Sequence, residues 1–166
     1  MWAFLLVSVV CFTLAAIRMK RRIPAHELYT TVVFALFADV LTDLYASFVF
    51  HAWGLFYVKE VEFASLFVIF GLYLPSAAMI VNWYPFGSSR RRRLGYLLAW
   101  SVFSTAYEWA ALKLGIVWHD RWNLFYSFLL YPFIYYMLIA QLRGYRWMKR
   151  TFDGAGGNGG SLPPVA

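Results

Sequence analysis

Five apolar runs separated by short polar links constrain this chain more than any other feature. They cover about residues 2–17, 28–50, 62–86, 94–116 and 122–142. A helix needs roughly 20 apolar residues to cross the hydrocarbon core of a bilayer. The second to fifth runs have that length. The first, WAFLLVSVVCFTLAAI, is shorter and must stand upright or thin the bilayer locally. Inside lipid every backbone N–H and C=O must be satisfied within the protein, and a helix does this by itself. The expected fold class is therefore all-α: an integral membrane bundle of five transmembrane helices. Composition agrees, since 62% of the residues are hydrophobic and 14% charged, against roughly 45–50% and about 25% in soluble domains.

The basic residues give the threading. The net charge is +7, and all fifteen Lys and Arg except Lys59, Lys113 and Arg121 lie in three clusters. These follow the first run (Arg18, Lys20, Arg21, Arg22), the third (Arg90 to Arg93) and the fifth (Arg143, Arg146, Lys149, Arg150). Five alternating crossings put all three on one side, which the positive-inside rule makes cytoplasmic. The N-terminus is then outside and the C-terminus inside. The first run has its basic cluster after it rather than before it, unlike a signal peptide, and reads as a retained helix. Anionic lipid headgroups are the expected partners at Arg18 to Arg22, Arg90 to Arg93 and Arg143 to Arg150. Nucleic acid is not an expected partner, because the charge sits at span boundaries.

The remaining punctuation fits this frame. Trp53, Phe56 and Tyr57, then Trp83, Tyr84 and Phe86, then Trp118 and Trp122 fall at span ends and read as interfacial aromatic belts. Cys11 is the only cysteine. It excludes an internal disulfide or a Cys-rich metal site, and it reads as a small buried hydrophobe. The stretch RGYRWMKR should lie at the lipid surface. Residues 151–166, rich in Gly and Pro, should form a disordered cytoplasmic tail after a single helical domain over 1–150. No internal repeat is present.

Polar residues inside the apolar runs are the candidate functional groups. An Asp at mid-membrane costs about 2.5–3.5 kcal/mol, so lipid-facing carboxyls are disfavoured. Asp39 and Asp43 lie one helical turn apart and share a face that should look into the bundle. In the fourth run Ser101, Ser104 and Glu108 recur at helical spacing. Asp43 and Glu108 both come out roughly 21–22 Å from the basic end at 1.5 Å per residue, so they are expected to face each other. Tyr107, Tyr131, His51, Lys113, His119 and Arg121 are candidate neighbours in the same ligand- or ion-binding constellation. Gly71, Pro75, Ala78 and Asn82 form a helix-packing seam on the third run, with Pro75 permitting a kink. The second, third and fourth helices should form the core.

Several functions suit this pattern. The first is an integral membrane protein whose carboxylate cluster organises the bundle and binds a small ligand or cation from the outer side. A small transporter or proton-coupled permease is the second, but the inner half offers few polar groups beyond Thr30, Thr31 and Asn82. A metal-dependent intramembrane enzyme is the third. No His sits at a diagnostic spacing from an acid, and no zincin, P-loop or nucleophile-elbow motif is present, so the chain leans away from an enzyme and assigns no metal and no cofactor. A subunit of a larger membrane complex, or a homo-oligomer, is the fourth.

Two passages carry a resemblance. ADVLTDLYASFVFHAWGLF and YEWAALKLGIVWHDRWNLFYSFLLYPFIYY are similar to a family of small, uncharacterised multi-pass membrane proteins of Bacillus-type and Clostridium-type spore-formers. The shared pattern is Asp39 and Asp43; Tyr107, Glu108 and Trp109; Leu112, Lys113 and Gly115; Trp122, Leu124, Tyr126 and Ser127; Tyr131 and Pro132. It spans roughly residues 28–142. The resemblance implies a bacterial plasma membrane and an association with sporulating cells. It brings no reaction with it.

Overall fold

Local chemistry marks most helix ends in the computed structural model, which describes residues 1–55 and 64–156. Helix α1 (Trp2–Arg18) stops as the chain enters the first basic cluster. Helix α2 starts at Ala25, directly after Pro24, whose fixed φ suits a helix entrance. It runs Ala25–Leu44 and continues through a π-helical turn, Tyr45–Val49. His51 then takes a left-handed backbone, φ 49°, and turns the chain into strand β1 (Trp53–Leu55).

Helix α3 covers 64–83 in three consecutive pieces: Ala64–Val68, a π turn at Ile69–Tyr73, and Leu74–Trp83. Pro75 has no N–H to continue the α ladder, and the wider π turn lies just before it. The Ser76 hydroxyl donates to the Leu72 carbonyl at 2.6 Å. Helix α4 (Arg90–Lys113) is N-capped by Ser89, whose side chain accepts from the Arg92 N–H. It ends in a Schellman motif: Gly115 has φ 68°, its N–H bonds Leu112 O, and the Ile116 N–H bonds Ala111 O. Strand β2 (Val117–His119) follows. Asn123 Oδ1 then accepts from the Phe125 and Tyr126 N–H groups and opens helix α5 (Leu124–Gly156).

Among the described residues three stretches are long and apolar enough to cross a membrane: Ala25–Val49, Ser65–Trp83 and Leu124–Asp153. Helix α1 is apolar but shorter. Helix α4 has the length, but its Trp, Tyr, Ser and Glu residues dilute its hydropathy. Large apolar side chains on all five helices face outward, among them Val7, Phe37, Phe70, Val102 and Phe133.

The packing differs from the expected core of helices two, three and four. Helix α4 packs on α5, α3 on α1 and α2, and α2 on α5. Helices α2 and α4 face each other across a cavity. Gly71 shows why the third helix turns as it does. A Cβ there would lie 2.6 Å from Val9 Cγ1, so the small residue admits α1. Pro75 and Ala78 are buried beside it. Asn82, 1% exposed, accepts from the Arg22 N–H at 2.7 Å and donates to Lys20 O at 3.0 Å. The seam thus holds the first helix and its following loop.

All three basic clusters gather at one end of the bundle. Asn82 bonds the first, Arg22 and Arg92 line one crevice, and Arg146 lies over the Phe86 ring. Above this end Val81, Ile139 and Leu142 are completely buried in an apolar plug with Ile80, Leu97 and Leu138. A second cluster, Leu5, Val68, Leu72, Ala111 and Ile116, lies near the strands.

Other expectations change. Helix α5 continues past residue 142 through RGYRWMKR, so this stretch extends the helix, as do residues 151–156, which were expected in a tail. The anchor is Arg146, whose Nε and Nη2 donate to Glu27 Oε2 at 2.9 and 2.6 Å. The tail expectation for 157–166, like the belt positions Phe56 and Tyr57, lies outside the described residues. Cys11 is exposed rather than buried, because α1 presents that face outward.

Candidate functional site

A two-stranded ribbon organises the end opposite the basic clusters. Strands β1 and β2 pair antiparallel, with Trp53 opposite His119, Gly54 opposite Trp118 and Leu55 opposite Val117. Strand β1 follows the second helix and β2 follows the fourth, so the ribbon ties together the two helices that carry the acids. Gly54 is required there: a Cβ would lie 2.7 Å from the Trp118 indole. The Asp120 N–H adds a bond to Ala52 O at 3.0 Å.

Beneath the ribbon is a cavity of about 270 Å³ between α2, α3, α4 and α5. Asp39 and Asp43 line it from α2, Tyr107 and Glu108 from α4, and Tyr131 from α5. Glu108 is the best-held of the acids. Ser127 Oγ donates to its Oε1 at 2.7 Å, and Tyr131 OH donates to its Oε2 at 2.7 Å. His119 Nε2 lies 2.8 Å from Oε1, an ion-pair distance, with its N–H off the hydrogen-bond line. Charge-assisted bonds of this kind are the strong ones, and they fix the carboxylate in place.

Asp43 is joined to Glu108 indirectly. Trp53 Nε1 donates to Asp43 Oδ1 at 3.2 Å. The Trp53 ring packs on Trp122 with centroids 4.6 Å apart. Trp122 Nε1 donates to Ser127 Oγ at 2.8 Å, and Ser127 passes the network to Glu108. The two acids share one cavity but are bridged by indoles. Asp39 is different: its Oδ2 is buried and has no hydrogen-bond partner among the described residues.

The other sequence candidates divide. Tyr107 stands between Phe4 and Phe12 of α1, with ring centroids at 5.3 and 5.9 Å. Its ring walls the cavity from that side. His51 does not line the cavity. It supplies the left-handed turn after α2, and its Nδ1 is buried without a partner among the described residues. Lys113 and Arg121 are exposed and away from the cavity. Ser104 hydrogen-bonds Tyr135 of α5, whereas Ser101 returns its hydroxyl to Leu97 O of its own helix at 2.8 Å.

The aromatic belt assignment changes for three tryptophans. Trp53 and Trp122 close over the cavity, and Trp118 packs on the ribbon. Their indole donors and the acids nearby were the available signal, but nothing local to either segment joins them. A further polar cluster at the basic end also escapes sequence reasoning. Glu27, 8% exposed, binds Arg146, and the Thr31 hydroxyl lies 3.0 Å from Gln141 Oε1. A lone acid beside an apolar run, with a basic cluster elsewhere in the chain, was the only sign of it.

The chemistry of the site is restricted. Among the described residues no three His, Cys, Asp or Glu side chains converge to hold a metal ion. The Ser127, Glu108 and His119 trio also has the wrong order for nucleophilic catalysis. Glu108 stands between Ser127 and His119, whereas an activated serine needs the imidazole against its hydroxyl. No family model, curated protein or solved structure matches this chain.

Proposed function

We propose that this chain is a multi-pass protein of the bacterial plasma membrane that binds a small ligand, entering from the outer side, in the cavity under the ribbon. In this reading all five helices cross, with the N-terminus outside and the C-terminus in the cytoplasm. The gathering of the three basic clusters at one end supports that orientation through the positive-inside rule. The bacterial membrane follows from the resemblance to the spore-former family. The ribbon end then faces outward.

One observation carries the binding reading: Asp39, half-buried in the cavity wall, has a buried carboxylate oxygen that no described residue satisfies. Buried polar groups are nearly always hydrogen-bonded, and ionisable groups at membrane depth mark ligand or ion sites. Glu108 is the structural half of the cluster and Asp39 the binding half. The apolar plug of Val81, Ile139 and Leu142 closes the way to the basic end, which favours a one-sided pocket over a transport path.

The test is a thermal-shift screen of a mixed panel of small cations, neutral molecules and anions. Wild type and Ala38→Phe, which fills the cavity from α2, are compared in nanodiscs. At least one class should stabilise wild type saturably and leave Ala38→Phe unaffected. Equal shifts in both proteins, or none in wild type, would show that the cavity is not a binding site.

A further inference from the structure

We propose that the ligand is a small organic ammonium cation, an alkylated or aromatic amine whose positive end is met by Asp39. This rests on the binding reading above and narrows it.

The charge of the cavity points one way. Neither Lys nor Arg is among the described residues that line it, while Asp39, Asp43 and Glu108 all do. Both Glu108 oxygens are engaged, by Ser127 and His119 on one side and Tyr131 on the other. Asp43 Oδ1 is engaged by the Trp53 indole. Asp39 Oδ2 is buried and has no hydrogen-bond partner among the described residues. An anion would meet three carboxyl groups here and no described Lys or Arg to balance its charge. A neutral apolar guest would leave Asp39 unsatisfied.

The walls separate an organic cation from a metal ion. A hard cation takes six or more oxygens for calcium and near-octahedral oxygens for magnesium. One unengaged, poorly hydrated carboxylate on an apolar wall does not provide that, and the described acids and histidines do not converge. The wall is instead aromatic, with Trp53, Trp122, Tyr73, Tyr131, Trp100 and Phe103 around the space. Aromatic faces attract a weakly hydrated cation electrostatically, and an alkylated ammonium sheds water readily. The Trp53 and Trp122 rings, 4.6 Å apart and tilted by 56°, form a corner on the Asp43 side of the cavity. A volume of about 270 Å³ limits the guest to a small amine, since drug-sized ligands occupy pockets of roughly 300–1,000 Å³.

The probe is benzyltrimethylammonium, and the control is neopentylbenzene, which has the same shape without the charge. Binding is measured calorimetrically to the full chain in nanodiscs of zwitterionic lipid. Wild type should bind the ammonium saturably and at least tenfold more tightly than the isostere. Asp39→Asn should weaken it at least tenfold, and Trp122→Leu severalfold. Equal affinity for the isostere, or unchanged affinity in a folded Asp39→Asn, overturns the proposal. The wild-type comparison needs no variant, so a misfolded Asp39→Asn leaves the test intact. If other classes in the mixed panel bind and are excluded by Ala38→Phe while the ammonium does not bind, the ligand class is wrong and the site stands. If nothing binds, both readings fall.

Discussion

At the scale of single residues, two acids in one cavity have opposite relations to stability. Glu108 accepts from Ser127 and Tyr131 and pairs with His119. Removing it strands donors in a largely buried site at about 1–3 kcal/mol per group. Glu108→Ala should therefore lose roughly 2–4 kcal/mol by the same measure, read as a lower melting temperature in detergent. Asp39 has an unmet oxygen, so replacing it with a neutral amide lowers the desolvation cost. Asp39→Asn should melt at the wild-type temperature or above it. A loss as large as that of Glu108→Ala would make Asp39 a packing residue instead. At the basic end Arg146 donates twice to Glu27 and rests on Phe86. Arg146→Lys loses the fork and most of the ring contact. It should destabilise by about 1–2 kcal/mol, discounted because the Arg side chain is 28% exposed.

At the scale of elements, close approach decides two interfaces. A methyl group at Gly71 meets Val9, so Gly71→Ala should push α1 away and destabilise the bundle. Val9→Ala in the same chain should restore much of the loss, and a double-mutant cycle of melting temperatures would measure the coupling. Additive losses would mean that α1 is seated elsewhere. Gly54→Ala meets the Trp118 indole and should loosen the ribbon. The tryptophan fluorescence of the ribbon should then shift, with the helical circular dichroism unchanged. The helices themselves were legible from local chemistry. Pro24, Pro75, Ser89 and Gly115 mark boundaries or turns by rules that act within a few residues. The ribbon was not legible, because each strand is only three residues long and gains its bonds from a segment far away in sequence. The length of α5 was hidden for a similar reason: its polar extension is held by Glu27 on another helix.

At the scale of the whole molecule, the proposed threading predicts accessibility from each side. Cys11 is the only cysteine, so a Cys11→Ser background gives a clean label site. Ser89 is exposed at the basic end and Asp120 beside the ribbon. A membrane-impermeant maleimide applied to intact cells should label Asp120→Cys and spare Ser89→Cys until the cells are opened. The reverse pattern would invert the orientation, and labelling of both from outside would break the five-crossing arrangement.

The sequence by itself marked the apolar runs of this protein and their spacing. Apolar runs of membrane length favour helices, because lipid offers no partner for the backbone, and the basic residues cluster after the first, third and fifth runs. It also marked Asp39, Asp43, Glu108 and Tyr131 as residues with no comfortable place facing lipid, and these line one cavity. Tertiary structure alone decided which helices touch and which acid is satisfied. Helical periodicity gives a face but not the neighbour that face will meet. So the pairing of α4 with α5, the closing of Trp53 and Trp122 over the acids, and the separation of a held Glu108 from an unmet Asp39 emerge only when distant segments are brought together.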